Sequence, residues 1–368
     1  MVPSLNSTFS VPGAPPFNVV QPFAGVFYVR FPQRPGLLGE VDLAFHFLRF
    51  QEHYESPGFK GRVFSWAQYV AWYRQVRGYF SYPWDWAGYN FPGRMLEPFR
   101  SGAFDPLTRR ERALLDALAQ VRPGDYVIGT LDQDAGALQH ELAHACFELD
   151  PLYRERVLAA LAGGDYSRQA ESLAEGEGYD PQVHLDEIQA HAVEGGELGP
   201  GARRSALIRE AFDDSLDGLR RGPAGAIRRA YQDAVYEIRE GSEALALRVG
   251  MPSAPLAALL RSLGVSQASL VTAHNPASRP QLGRANAAAQ QRLEARLRAE
   301  GHALLLPGRG RDPSGSWPDE DSVLVPGMDV EGSLRLARDF GQHAVLALAA
   351  DGVPRLAYVS ALPEAPRN

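Results

Sequence analysis

The sequence predicts an α+β protein in two parts: a mainly helical domain with a short sheet over residues 1–222, then a smaller α+β sandwich over residues 223–368. Three observations lead there. Amphipathic helical segments dominate the first part, with the short apolar runs VFYVRF and DYVIGTL between them. A break falls at Arg221-Gly222-Pro223. Beyond it, short apolar runs and helical runs follow the order β-β-α-β-α-β-β-α-β-β, which fits helices packed on one face of a mixed or antiparallel sheet. At roughly 150 residues per domain, 368 residues accommodate two domains.

Taken in order, the first ~20 residues are rich in Pro, Ser and Asn and read as an extended, loosely held arm. VFYVRF is a strand, and LLGEVDLAFHFLRFQEHYES is a helix. Ser65 is placed to cap a second helix, WAQYVAWYRQVRG, which ends at Gly78. YFSYPWDWAGYNFPG mixes aromatics with turn residues. It reads as an irregular loop whose rings plug the core, with an aromatic cleft wall as the alternative. A helix in DPLTRRERALLDALAQVRPG closes at Pro123-Gly124 and leads to the strand DYVIGTL. DQDAGALQHELAHACFELD, PLYRERVLAALAGG, PQVHLDEIQAHAVEGG and SALIREAFDDSLDGLRR read as further helices. In the second part the hairpin AVYEI/ALALRVG leads into a helix, the strand SLVTA, the helix ANAAAQQRLEARLRAEG, and then ALLLPG, SVLVPG, VEGSLRLARDFG, AVLALAA and PRLAYV.

Composition narrows the function classes. Net charge is −7, which argues against nucleic acid or an anionic membrane as partner. Cys146 is the only cysteine, so an intrachain disulfide is excluded. The N-terminus lacks a basic segment followed by an apolar run, and no apolar stretch reaches the ~20 residues of a membrane helix. The expected compartment is the cytoplasm.

The chemistry concentrates in QHELAHACFE, residues 139–148. On a helix, residues four apart share one face, so His140 and His144 can reach the same metal ion. Glu141 then stands beside that ion as a general base without ligating it. With nine histidines in the chain, the pattern would arise by chance in roughly one or two such chains in a hundred. The alternative is a polar helix with exposed histidines. Against it, Leu138, Leu142, Ala143, Ala145, Cys146 and Phe147 make the helix apolar outside the histidine face.

A short strand, a loop, then HELAH on a helix resembles the active-site strand and helix of the zincin metallopeptidases. The resemblance implies a zinc-dependent hydrolase acting on peptide or protein substrates, with Asp125 to Leu131 along the cleft pairing with substrate backbone. A catalytic zinc takes three protein ligands and keeps one open position. Glu148 is a poor third ligand, because three side chains on one helical stripe would span about 12 Å. LDEIQAHAVEG supplies better ones, in the order Glu187, His191, His184. The stretch from Glu187 to His191 resembles the E-x-x-A-D pattern of the glutamate-zincin branch, with His191 where that pattern has Asp. Support of a ligating histidine then falls to Asp186 or Glu194. Tyr166, Tyr179 and His184 are the candidates for steadying an oxyanion. Cys146 reads as a small buried hydrophobe, and His46 and His53 as packing or surface histidines.

From about Ala226 to Tyr358 the chain resembles a bacterial domain family of unknown function, through VTAHNPASRP, NAAAQQRLEARLRAEG, LPGRGRDPSGSWPDEDSVLVPGMD and LARDFGQHAVL. TAHNPASRP is a strand end followed by an Asn-Pro turn, and GRGRDPSG has glycines and arginines that could hold an anion. Asn275 and Gln342 are candidates for a small polar pocket. The expected function is therefore a zinc hydrolase with Glu141 as base and His140, His144 and Glu187 as ligands. The alternatives are a catalytically silent metal-bound scaffold or sensor, and a binding protein that takes a small anionic or nucleotide ligand in its C-terminal domain.

Overall fold

The structure, a computed structural model, describes residues 6–9, 17–132, 134–171, 173, 183–195, 202–221, 226–240, 243–315 and 317–359. It is an α+β protein with two sheets. The chain divides into one compact unit of residues 3–148 and 156–216 and another of 149–155 and 217–368.

The first unit holds β1 (Asn6–Phe9), β2 (Phe17–Phe23), β3 (Val26–Phe31), α1 (Leu38–Glu55), α2 (Trp66–Arg77), α3 (Tyr82–Asp85), β4 (Gly88–Pro92), α4 (Glu97–Arg100), α5 (Arg109–Ala117), β5 (Tyr126–Leu131) and α6 (Ala135–Leu149). They are followed by α7 (Pro151–Leu161), α8 (Ser167–Glu171), α9 (His184–Glu194) and α10 (Ala202–Arg221), of which residues 151–155 and 217–221 belong to the other unit. The sheet order is β1-β2-β3-β5-β4, with β3 and β5 parallel and the other neighbours antiparallel.

Three expectations are corrected here. Residues 17–23 are not a loose arm: β2 pairs with both β1 and β3, and Phe17 is fully buried. The aromatic segment is not an irregular loop, since it carries α3 and the edge strand β4. Its rings Tyr82, Tyr89 and Phe91 are buried as the core plugs expected of them. The strand before the HELAH helix is not free to pair with a substrate, because β5 is flanked by β3 and β4.

α1 positions the site. It is buried nearly all round, with Phe47 and Phe50 at full burial. Gly129 in β5 makes the approach possible, since a Cβ there would lie 2.4 Å from the Phe47 ring. Its one buried cation, Arg49, clamps Glu111 of α5 through Nε (2.5 Å) and Nη2 (2.6 Å). Trp66 Nε1 and the Thr108 backbone N–H donate to the same carboxylate. Such a fork-to-fork pair is favourable only when its remaining lone pairs are filled, as they are here. Ser65 caps α2 through a full capping box with Gln68, as the spacing predicts.

The second unit runs α11 (Ala226–Asp233), β6 (Val235–Glu240), β7 (Glu243–Arg248), α12 (Ala254–Ser262), β8 (Gln267–Val271), α13 (Gly283–Ala299), β9 (Leu306–Arg311), β10 (Glu320–Pro326), α14 (Val330–Asp339), β11 (Ala344–Ala349) and β12 (Arg355–Tyr358). Its seven strands, in the order β12-β11-β8-β10-β9-β6-β7, are antiparallel throughout. The helices do not lie on one face, as the element order led one to expect. Val323, Val325, Val345 and Ala347 pack with Leu293 and Leu297 of α13 and Leu334 of α14. Their strand neighbours Leu324, Leu346 and Leu348 pack with Leu256 and Leu260 of α12. Strands apolar on both faces need cover on both. No helix among the described residues is long and apolar enough to cross a membrane.

Candidate metal centre

α6 begins where the Asp134 side chain accepts from the Ala137 N–H, at 2.9 Å. One turn further on it presents His140, Glu141 and His144. α9 presents Asp186, Glu187, His191 and Glu194. The two helices bring three donors together. His140 Nε2 and His144 Nε2 stand 3.1 Å apart. Each is 3.6 Å from a Glu187 oxygen, His140 from Oε2 and His144 from Oε1. Donor atoms around a tetrahedral ion with bonds of ~2.0–2.1 Å stand about 3.3 Å apart, so this triangle fits one zinc-sized ion.

Burial sharpens the point. His144 and Glu187 are each 2% exposed, and Glu187 Oε2 has no hydrogen-bond partner among the described residues. A buried carboxylate oxygen left in that state is costly, and a metal ion satisfies it. Burial pushes His144 down, but the Asp186 and Glu187 carboxylates outweigh it and hold the imidazole well above its ordinary value. His140 is raised in the same way, burial being outweighed by the neighbouring Glu187 carboxylate. Glu187 moves the opposite way, below its usual range, because the neighbouring imidazoles outweigh its burial. The donor set therefore prefers a positive charge at its centre, which a proton or a metal ion can supply.

The imidazoles are held from behind. Asp186 Oδ1 lies 2.9 Å from His144 Nδ1, and Glu194 Oε2 lies 3.4 Å from His140 Nδ1. A carboxylate on Nδ1 fixes the tautomer that turns Nε2 toward the ion. Asp186 and Glu194 thus occupy the supporting positions that the pattern leaves open at His191. His191 is half-exposed, and its ring lies 4.9 Å from that of His140. It joins a second convergent group with His140 and Glu194, on the outer side of the first. His184 belongs to neither group among the described residues.

Glu141 is fully buried behind the triangle, and burial raises its carboxyl above the usual range despite the nearby imidazoles. Asn90 Nδ2 donates to Glu141 Oε2 at 2.7 Å, and Tyr126 Oη donates to Asn90 Oδ1 at 2.5 Å. Gly88 leaves room for the other oxygen, since a Cβ there would meet Glu141 Oε1 at 2.2 Å. The cavity at this point has a volume of about 20 Å³, lined by Gln51, Glu52 and Glu55 of α1 and by Tyr82, Tyr89 and Asn90 of the aromatic segment. That is space for about one water molecule. Tyr82 and Tyr89, buried as core plugs, also line this small cavity.

The remaining sequence candidates fall elsewhere. Tyr166 and His184 do not line this cavity, and Tyr179 lies outside the described residues. Glu148 pairs with Arg94. Cys146 is buried. His46 is a packing histidine between Phe17 and Phe31, with Nδ1 donating to Asp42 O, and His53 packs on Phe99 and Phe104. Asn90, Tyr126 and the α1 carboxylates went unnoticed in the sequence. The available signal was the polar set Gln51, Glu52 and Glu55 in a helix rich in apolar residues.

No curated protein and no solved structure matches the chain. No family match supports the zincin resemblance of residues 1–222, which rests on the sequence motif. Residues 271–345 match a family described as "Protein of unknown function (DUF3293)", a match that lies wholly within the second unit.

Proposed function

We propose that the first unit is a cytoplasmic zinc-dependent hydrolase of the metallopeptidase class, with peptide or protein substrates. His140, His144 and Glu187 would hold the ion. The observation that carries this reading is the 3.1–3.6 Å donor triangle around an unsatisfied Glu187 oxygen, with Glu141 beside it. A bound divalent ion supplies positive charge that polarises a carbonyl and acidifies water.

The chain's own residues do the rest. Glu141 takes a proton from water and returns it to the leaving amine. Its raised pKa brings it nearer to neutrality, where a group serves both as base and as acid. Asn90 holds one carboxylate oxygen, so the other is the one presented for the proton. Asp186 and Glu194 keep the imidazoles facing inward.

The test is elemental analysis of the purified protein, followed by hydrolysis of a fluorogenic peptide library. One zinc per chain is expected. Glu141→Gln keeps the metal and lowers turnover by roughly 10²–10⁴-fold. Absence of bound metal, or undiminished turnover in Glu141→Gln, defeats the proposal.

A second reading, a metal-bound scaffold without turnover, draws on one observation. The cavity holds about one water, and the Asn90 N–H on the outer edge of β4 is already bonded to Gln51 Oε1 at 2.7 Å. Stoichiometric zinc with no hydrolysis of any library peptide would favour it.

A further inference from the structure

The second unit contains a cavity of about 370 Å³ that the hydrolase reading does not use. Pockets for small molecules span roughly 300–1,000 Å³ and are mostly apolar with a few placed polar groups. This one has that make-up. Leu270 of β8 and Leu346 of β11 lie in its wall, and Tyr231 of α11 and Trp317 add aromatic surface. At the packing density of protein interiors it holds a ligand of roughly 15–20 non-hydrogen atoms.

The TAHNPASRP segment borders the cavity and is backbone-strained. Asn275, Ala277 and Ser278 have φ of 47°, 55° and 54°, which residues other than glycine seldom adopt. Hydrogen bonds hold the strain in place: Asn275 N–H donates to Asn286 Oδ1 at 2.9 Å, and Ala277 N–H to Gly341 O at 2.7 Å. Strain so held is typical of ligand sites.

Charge selects the ligand. Arg311, Asp312 and Glu320 are the charged residues of the described wall, and the arginines of GRGRDPSG already have acidic partners. Arg309 and Arg311 belong to β9, where Arg311 pairs with Glu237 at 2.6 Å and Arg309 with Asp321 at 3.2 Å. Asp312 is engaged by Ser314 and by the Trp317 N–H. The carboxylate that remains is Glu320. Its Oε1 accepts from Asn275 Nδ2 (2.7 Å) and Trp317 Nε1 (2.8 Å), which fixes its position, and neither of these takes Oε2. Ser322 Oγ, also in the wall, is buried without a hydrogen-bond partner among the described residues.

We propose that this cavity binds a flat aromatic molecule bearing N–H donors, neutral or cationic, which donates to Glu320 and lays its ring against Tyr231 and Trp317. A nucleobase-sized heterocycle or an aromatic amine meets this description, and a phosphate or carboxylate does not.

The experiment uses the full chain and two matched pairs of probes: adenosine with AMP, and tryptamine with indole-3-acetate. Saturation-transfer NMR detects contact, and calorimetry gives affinity. At least one of adenosine and tryptamine binds, and its anionic counterpart binds roughly tenfold more weakly or worse. Glu320→Gln removes that preference. Ala230→Trp at the cavity wall abolishes binding without lowering the melting temperature; if that variant melts early, Ile227→Trp takes its place. His144→Ala leaves probe binding unchanged, so this result stands apart from the metal proposal. The inference is overturned if neither adenosine nor tryptamine binds, if an anion binds as tightly as its partner, or if the blocked variant still binds.

Discussion

The two cavities of this chain are built on opposite principles. The one in the first unit has a volume of about 20 Å³ and is crowded with His140, His144, Glu141, Glu187 and the α1 carboxylates. The one in the second unit is about 370 Å³ and mostly apolar, with Arg311, Asp312 and Glu320 as its charged residues. A dense ring of donors at 3.1–3.6 Å leaves space for an ion and a water, whereas a roomy, mostly apolar wall with few charged groups suits a whole molecule. The lesson is that cavity size alone does not rank candidate sites; donor density decides what kind of guest fits.

The largest expected effect breaks the first cavity. His144→Ala or Glu187→Ala abolishes stoichiometric metal binding in a chelator-competition titration, and Asp186→Asn weakens it by about 10–100-fold. Unchanged affinity in Asp186→Asn would show that the support behind His144 is incidental. Next in size is Glu111→Ala, which strands the Arg49 guanidinium in the core. It costs about 3–5 kcal/mol in denaturant unfolding of the first unit.

A pH titration separates the units further. Burial pushes His46 down from 6.5 to about 4. Between those values the unfolded chain binds the proton and the folded one does not. This stability is therefore complete above pH 6.5 and is lost as pH falls toward 4, by up to about 3 kcal/mol. Hydrogen exchange over that range should loosen α1 and β3 before β10 and β11, and His46→Leu should flatten the slope. The smallest effect lies at the second cavity. Ala277→Gly relieves a left-handed backbone and stabilises by about 0.5–1 kcal/mol in chemical denaturation.

Legibility in the sequence followed the range of the interactions. HELAH could be read directly because its spacing is one helical turn. Glu187 could be ranked first because the stretch from Glu187 to His191 resembles the E-x-x-A-D third-ligand pattern. Asn90 could not be found. It reaches Glu141 only through the pairing of β4 with β5, and β4 is hidden between a Trp-rich turn and Pro92. The order of elements in the second unit was legible, because turn residues punctuate each apolar run. The burial of both sheet faces was also written there: SVLVPG and AVLALAA are apolar at successive positions, not alternate ones. The pairing of the GRGRDPSG arginines could not be read, because their acidic partners come from other strands, at Glu237 and Asp321.

The matched stretch of residues 271–345 begins on the last residue of β8 and ends on the second residue of β11, two strands that pair with each other in the middle of the seven-stranded sheet. Excised at those limits, it would lose β6, β7, β12 and nearly all of β8 and β11, and with them Tyr231, Leu270 and Leu346 from the pocket wall. The matched stretch is therefore narrower than the sheet it belongs to.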